Sequence, residues 1–154
     1  MELTLRYYSD EAIAKVIAAI KRISRSAAEM AGMQADKLPL VSIENAETPP
    51  VVNNEELSAK IKGFATEIIG AENIVKTTPA MVGEDFGKYG RTAEKIPISL
   101  IWLGSTKPEL MKELNARGEK PFPLHSPQLN PDYEKTIETG IRVMTANVLG
   151  LMSM

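Results

Sequence analysis

The sequence predicts an α/β protein, with a strand–helix–strand unit over residues 1–50 and a larger layered α/β unit over residues 51–154. Three observations support this. Apolar and polar residues alternate with a period of two at the N-terminus. Several longer stretches repeat apolar residues at helical spacing, and the run IPISLIWLG is apolar on both alternating faces, which is typical of a strand covered on both sides.

The first predicted strand and its helix lie within residues 1–32. Leu3 and Leu5 alternate with polar neighbours, which places Arg6 on the opposite face of the strand. Ser9 is a suitable helix N-cap, because the acids that follow it favour the positive end of a helix dipole. Gly32 is predicted to end the helix. The apolar stripe of this helix contains Ile13, Val16, Ile17, Ile20, Ile23, Ala27 and Met30.

A short strand, LPLVSIEN, and a proline-containing connector, ETPPVVNN, follow this helix. Neither the two prolines nor the residues before them favour helix, so the connector is predicted to be extended. The domain boundary is therefore placed near residue 50, which divides the chain into domains at 1–50 and 51–154.

The second part begins with a helix from Glu55 to Ile69, ended by Gly70, and continues into a predicted strand, NIVKTT. After the buried strand IPISLIWLG, Asn130 and Pro131 are predicted to form the N-cap and first turn of a last helix. The apolar positions of that helix are Ile137, Ile141, Met144, Val148 and Leu151.

The composition excludes several classes of function. A net charge of -2 with no basic cluster longer than Lys21-Arg22 argues against nucleic acid as a partner. The absence of cysteine excludes disulfides and thiolate metal ligands within this chain. No apolar run is long enough to span a bilayer and no signal-peptide pattern is visible, so the sequence predicts a soluble protein whose localisation stays open.

Two loops carry the side chains that could do chemistry. In PAMVGEDFGKYG, residues 79–90, the adjacent acids Glu84 and Asp85 stand between two glycines. From the residues alone, they are either solvated acids that form a turn or functional acids. In PFPLHSP, residues 121–127, the single histidine of the chain, His125, stands between prolines. From the residues alone, His125 is either a surface or capping residue or a ligand, and Arg6 is either a cross-strand partner or a functional cation.

These segments resemble the C-terminal end of the metal-dependent amidohydrolases that include hippurate hydrolase, aminoacylase-type N-acyl-amino-acid amidohydrolases and carboxypeptidase-like zinc peptidases. The resemblance rests on PAMVGEDFGKYG, LIWLGS and PFPLHSP, in that order. ELTLRYYSDEAIAKVIAAIKRI resembles the second half of the small lid domain of that family, and TPPVVNN resembles the return into its catalytic domain. The resemblance implies half of a ferredoxin-like lid over 1–50 and the C-terminal part of a zinc-peptidase-like catalytic domain over 51–154.

The same resemblance assigns roles to five residues. His125 corresponds to a ligand of a paired metal site, which usually holds zinc, manganese or cobalt in similar enzymes. Arg6 corresponds to a lid arginine that grips the carboxylate of the substrate, for which a planar guanidinium is well suited. Gly83, Glu84 and Asp85 correspond to an acidic loop that supports or lines the pocket.

The other metal ligands and the general base of similar enzymes have no counterpart in this chain, which contains one histidine and no cysteine. We therefore expect a C-terminal fragment of an amidohydrolase acting on N-acyl amino acids or small peptides, and this fragment alone should be inactive and should not retain metal. The alternative is a non-catalytic dimerisation or interaction module. A stand-alone hydrolase that uses Glu84, Asp85 and His125 is the least favoured reading. The chain is expected to form a homo-oligomer or to pair with a missing N-terminal half.

Overall fold

The structure is a computed structural model that describes residues 1–44, 48–82 and 84–153. Within these ranges there are four α-helices and three short 3-10 helices. The α-helices are α1 (Asp10–Met30), α2 (Glu55–Ile69), α3 (Pro108–Arg117) and α4 (Tyr133–Met152). The 3-10 helices are Ala35–Lys37, Ala71–Asn73 and Asp85–Arg91.

The described ranges contain no β-strand, so the predicted α/β fold is wrong for this chain. The half ferredoxin-like lid and the layered zinc-peptidase-like sheet are both absent from those ranges. The segments predicted as strands, residues 2–8, 38–44, 73–78 and 96–104, contain no strand: Asn73 ends a 3-10 helix, and the others have no regular secondary structure. Asn45, at the end of the second predicted strand, lies outside the described residues. The physical reason is that a strand exists only when its backbone groups pair with a neighbouring strand, which an alternating sequence does not supply.

Helix α1 follows the prediction closely. The Oγ atom of Ser9 accepts a hydrogen bond from the backbone N–H of Ala12 at 3.2 Å, and acids occupy the first turn. The helix ends at Met30, and Gly32 follows in the left-handed region with φ of +76°. Only Ile13 and Ala28 of this helix are buried, whereas Val16 and Ile23 on the predicted stripe are exposed.

Helix α2 begins and ends where the sequence predicted. Asn54 accepts a hydrogen bond from the N–H of Leu57 at 2.9 Å, and Gly70 follows the last turn with φ of +83°. The predicted start of α4 was wrong, because its N-cap is Asp132 and the helix begins at Tyr133. The backbone N–H of Asp132 donates instead to the carbonyl oxygen of Ser105 at 2.7 Å, which connects the start of α4 to the end of LIWLGS.

Two compact units make up the chain. The first comprises Met1–Asn53 with Thr77–Ile98, and the second comprises Asn54–Lys76 with Ser99–Met154. In the second unit α2 packs against α4, and a Cβ atom on Gly150 of α4 would overlap the ring of Phe64. The buried apolar residues among the described part of the first unit include Ile13, Ala28 and Ile98. The predicted domain boundary near residue 50 stays a prediction.

No helix in the described ranges is both long enough and apolar enough to cross a membrane.

Candidate functional site

His125 lies in the first of two consecutive β-turns, which share Ser126. The N–H of Ser126 donates to the carbonyl oxygen of Pro123 at 3.1 Å, and the N–H of Leu129 donates to the carbonyl oxygen of Ser126, also at 3.1 Å. His125 is the third residue of the first turn and has φ of +68°. A positive φ at this position is characteristic of type II turns and is uncommon for residues other than glycine.

The side chain of Ser126 makes two hydrogen bonds within the second turn. Its Oγ atom donates to the Oε1 atom of Gln128 at 2.7 Å and accepts a hydrogen bond from the backbone N–H of Gln128 at 3.2 Å. This arrangement fixes the backbone that directly follows His125. The loop therefore holds His125 in a left-handed conformation that costs free energy, with its side chain exposed.

The ligand set around His125 is too small for a metal site of the kind that the resemblance implies. Among the described residues, no group of three or more His, Cys, Asp or Glu side chains is arranged to hold a metal ion. Zinc in proteins takes three or four protein ligands. The residues that the structure describes therefore do not fit a complete zinc site, although the exposed imidazole of His125 is chemically suited to be one of its ligands.

Arg6 contacts the segment that leads into the acidic loop. Its Nη1 atom donates to the backbone carbonyl oxygen of Met81 at 3.1 Å, and its side chain is exposed. The two residues are 75 positions apart in the sequence. The structure thus places Arg6 beside the loop that the resemblance also implicated, both within the first unit.

The acidic loop is organised as a helix start. The Oε1 atom of Glu84 accepts a hydrogen bond from the N–H of Phe86 at 3.0 Å, so Glu84 caps the 3-10 helix Asp85–Arg91. Asp85 is exposed in the first turn of that helix. Gly83, the third residue predicted in this loop, lies outside the described residues. The hydrogen bond of Glu84 is consistent with a supporting function in the loop.

Gly87 fixes the position of this 3-10 helix. It is buried, and a Cβ atom placed on it would lie 2.8 Å from the carbonyl oxygen of Pro49 and 2.9 Å from that of Pro50. The 3-10 helix therefore packs directly on the backbone of the proline connector, at a distance that only glycine allows.

Sequence reasoning missed the contact of Arg6 with Met81 and also a second interaction near this loop. Asp10, at the start of α1, accepts two hydrogen bonds from Arg91, at the end of the 3-10 helix: Nη1 to Oδ2 at 3.0 Å and Nη2 to Oδ1 at 2.9 Å. No periodicity or motif connects residues 81 positions apart, so the sequence contained no signal for this pair. His125 belongs to the second unit, whereas Arg6, Glu84 and Asp85 belong to the first.

Comparison with known proteins gives a consistent family signal. The profile described as peptidase family M20/M25/M40 matches residues 39–149. An N-acetyldiaminopimelate deacetylase from Streptococcus thermophilus (strain CNRZ 1066) is 27% identical over 131 residues, which cover 85% of this chain and 29% of the relative. The protein of that name from Bacillus pumilus is 35% identical over 96 residues, covering 62% of this chain and 21% of the relative.

A third protein of the same name, from Streptococcus suis (strain 05ZYH33), is 34% identical over 85 residues, which cover 55% of this chain and 18% of the relative. The chain thus spans less than a third of the length of these relatives. No solved structure matches the chain.

Proposed function

The chain belongs to peptidase family M20/M25/M40, and from this membership we propose that it forms the C-terminal part of a metal-dependent amidohydrolase. The reaction proposed for the complete enzyme is cleavage of the amide bond of an N-acyl amino acid or small peptide. The relatives are named as deacetylases of N-acetyldiaminopimelate, a name that is consistent with this class of substrate.

The observation that carries the proposal is the conformation of His125. Two turns hold this residue at φ of +68°, and non-glycine residues in such conformations cluster at functional sites. In the proposal His125 contributes one ligand to a divalent metal, and zinc is the first candidate, because neutral imidazole is one of its common ligands. The bound metal would supply Lewis-acid chemistry to the complete enzyme.

The remaining ligands and the general base are proposed to come from residues outside this chain. The described residues do not complete a metal site, so no step of the reaction is assigned to them. The proposed contribution of the first unit is substrate binding. Arg6 presents an exposed guanidinium suited to a carboxylate, and the loop around Glu84 and Asp85 supports or lines the pocket.

A non-catalytic interaction module derived from the same family is the second candidate. It is favoured by the exposure of apolar side chains along α1 and α4, such as Ile23 and Ile141, which are 62% and 63% exposed. Exposed apolar patches of this kind commonly mark contacts with other chains.

Zinc titration with an NMR readout tests the proposal. We expect zinc chloride to shift the imidazole signals of His125 with weak affinity, and dialysis to remove the zinc, because a single imidazole cannot retain it. Hippurate should be hydrolysed no faster than by the His125→Ala variant. Imidazole signals that do not respond to zinc would overturn the assignment of His125. Zinc retained stoichiometrically through dialysis, or hippurate turnover above that of the variant, would overturn the proposal of an incomplete site.

A further inference from the structure

Two contacts join the same two segments of the first unit. The first connects the guanidinium of Arg6 to the carbonyl oxygen of Met81 at 3.1 Å. The second connects Asp10, four residues after Arg6, to Arg91, at the end of the 3-10 helix that follows Met81. The N-terminal segment is therefore attached to the acidic loop at two points, one on each side of Glu84 and Asp85 in the sequence.

The Asp10–Arg91 pair has the geometry that makes an exposed ion pair effective. The two hydrogen bonds, at 3.0 and 2.9 Å, form a bidentate contact between the guanidinium and the carboxylate. Most exposed ion pairs contribute little, and well-formed bidentate pairs are the exception. The side chain of Arg91 is 43% exposed and that of Asp10 is 64% exposed, so solvent reaches the pair although its geometry is well defined.

Arg6 retains most of its hydrogen-bonding capacity. A guanidinium carries five N–H donors, and within the described residues Arg6 uses Nη1 for the carbonyl oxygen of Met81. One fixed bond to a backbone carbonyl restricts the rotation of the planar group. The other donors remain available for a planar anion, for which the fork geometry of arginine is suited.

Asp10 is the first acidic residue after Arg6 in the sequence, four positions later. Both carboxylate oxygens of Asp10 accept hydrogen bonds from Arg91. The pair with Arg91 therefore keeps the carboxylate of Asp10 directed to the 3-10 helix. The donors of Arg6 are left for a ligand.

We infer that Asp10 and Arg91 are positioning residues that hold the guanidinium of Arg6 beside the acidic loop, with its unused donors presented to the carboxylate of a substrate. This inference rests on the proposed carboxylate-binding function of Arg6. Neither residue touches the substrate in this arrangement, and both act through the placement of Arg6.

NMR of the arginine side chains tests the inference in this chain. Hippurate serves as the probe, and its primary amide, which lacks the carboxylate, serves as the matched ligand control. In the parent chain we expect hippurate, but not the amide, to shift the Nε–H signal of Arg6. Asp10→Asn and Arg91→Gln should each weaken this response by about threefold to fivefold, the upper part of the range for an exposed ion pair, because the contact is bidentate. The double variant should bind no more weakly than either single variant, because both remove the same contact.

Two control variants separate positioning from charge and from folding. Arg22→Gln removes the same charge from an exposed position on α1 and should leave the hippurate affinity unchanged. Arg91→Lys should restore only part of the affinity, because a point charge does not reproduce a bidentate contact. The far-UV circular dichroism and the Tm of each variant show that it is folded.

The possible failures point to different conclusions. If Arg6→Gln leaves the hippurate response intact, the proposed carboxylate-binding function of Arg6 is wrong. If Arg6→Gln abolishes the response while Asp10→Asn and Arg91→Gln leave it at the parent value, the positioning inference is wrong and the function of Arg6 stands. Equal loss in Arg22→Gln and Arg91→Gln would also overturn the inference, because the effect would then come from net charge.

Discussion

Gly87 shows how closely a single residue can determine the position of a functional loop. The 3-10 helix of the acidic loop packs at this glycine on the carbonyl oxygens of Pro49 and Pro50. Backbone atoms cannot rotate away as the end of a long side chain can. The position of Glu84 and Asp85 therefore depends on Gly87 having no side chain.

Gly87→Ala is predicted to lower the free energy of unfolding by about 1 to 3 kcal/mol, the usual cost of overpacking. Gly63→Ala is the matched control, since Gly63 is exposed inside α2 with no atom near its hypothetical Cβ. That change should instead stabilise the chain by about 0.5 to 1 kcal/mol, because alanine favours helix. Urea denaturation measures both. Equal effects of the two changes would contradict the close packing at Gly87.

The left-handed backbone of His125 gives a second prediction at the scale of one residue. An L-residue in this conformation costs about 1 to 2 kcal/mol that glycine does not. We expect His125→Gly to be more stable than His125→Ala by about 1 kcal/mol, after allowance for the greater chain entropy of unfolded glycine. Thermal unfolding of the two variants checks this, and identical Tm values would show that the loop does not impose the positive φ.

At the scale of the secondary-structure elements, local signals predicted helices well and strands badly. Ser9 and Gly32 bracket α1, and Gly70 ends α2, because helix caps and helical periodicity are properties of neighbouring residues. The alternating residues 2–8 and the apolar run 96–104 form no strand, because their partners would have to come from elsewhere in a sheet.

Helix α3 was missed although its end signals were present. Pro108 occupies the first turn, and Gly118 follows the helix in the left-handed conformation with φ of +68°. The helix has ten residues and buries only Leu114, and so short a segment offers few repeats of the apolar spacing that predicts a helix. The opposite error occurred at α4, where Asn130-Pro131 resembled a start signal and the helix begins at Tyr133 instead.

In the candidate site too, the sequence predicts what depends on neighbouring residues and does not predict contacts between residues far apart in the chain. The two turns around His125 follow from the proline and serine residues beside it. The contacts of Arg6 with Met81 and of Asp10 with Arg91 join residues 75 and 81 positions apart, so a single sequence does not indicate them. The functions assigned to Arg6, Gly83, Glu84, Asp85 and His125 came from the family resemblance, and they stay predictions.

At the scale of the whole molecule, apolar surface is the dominant feature. Few large apolar side chains of the described residues are buried, and α4 exposes a stripe on the side away from its buried residues Val143 and Asn147. This α4 stripe consists of Ile137, Ile141, Met144, Val148 and Met152, each at least 50% exposed. The spacing of three and four residues is that of a helix face which packs against another helix.

We predict that the chain forms a dimer or a larger assembly in solution, because the α4 stripe leaves water only when another surface covers it. Ile141→Glu should shift the distribution towards monomer, since a charge at a helix contact must be desolvated. Lys135→Gln lowers the net charge by the same amount at an exposed position on another side of α4, and it should leave the distribution unchanged. Sedimentation velocity over a range of concentrations measures all three proteins. A parent chain that stays monomeric throughout, or equal dissociation by the two variants, would show that the α4 stripe is not the contact.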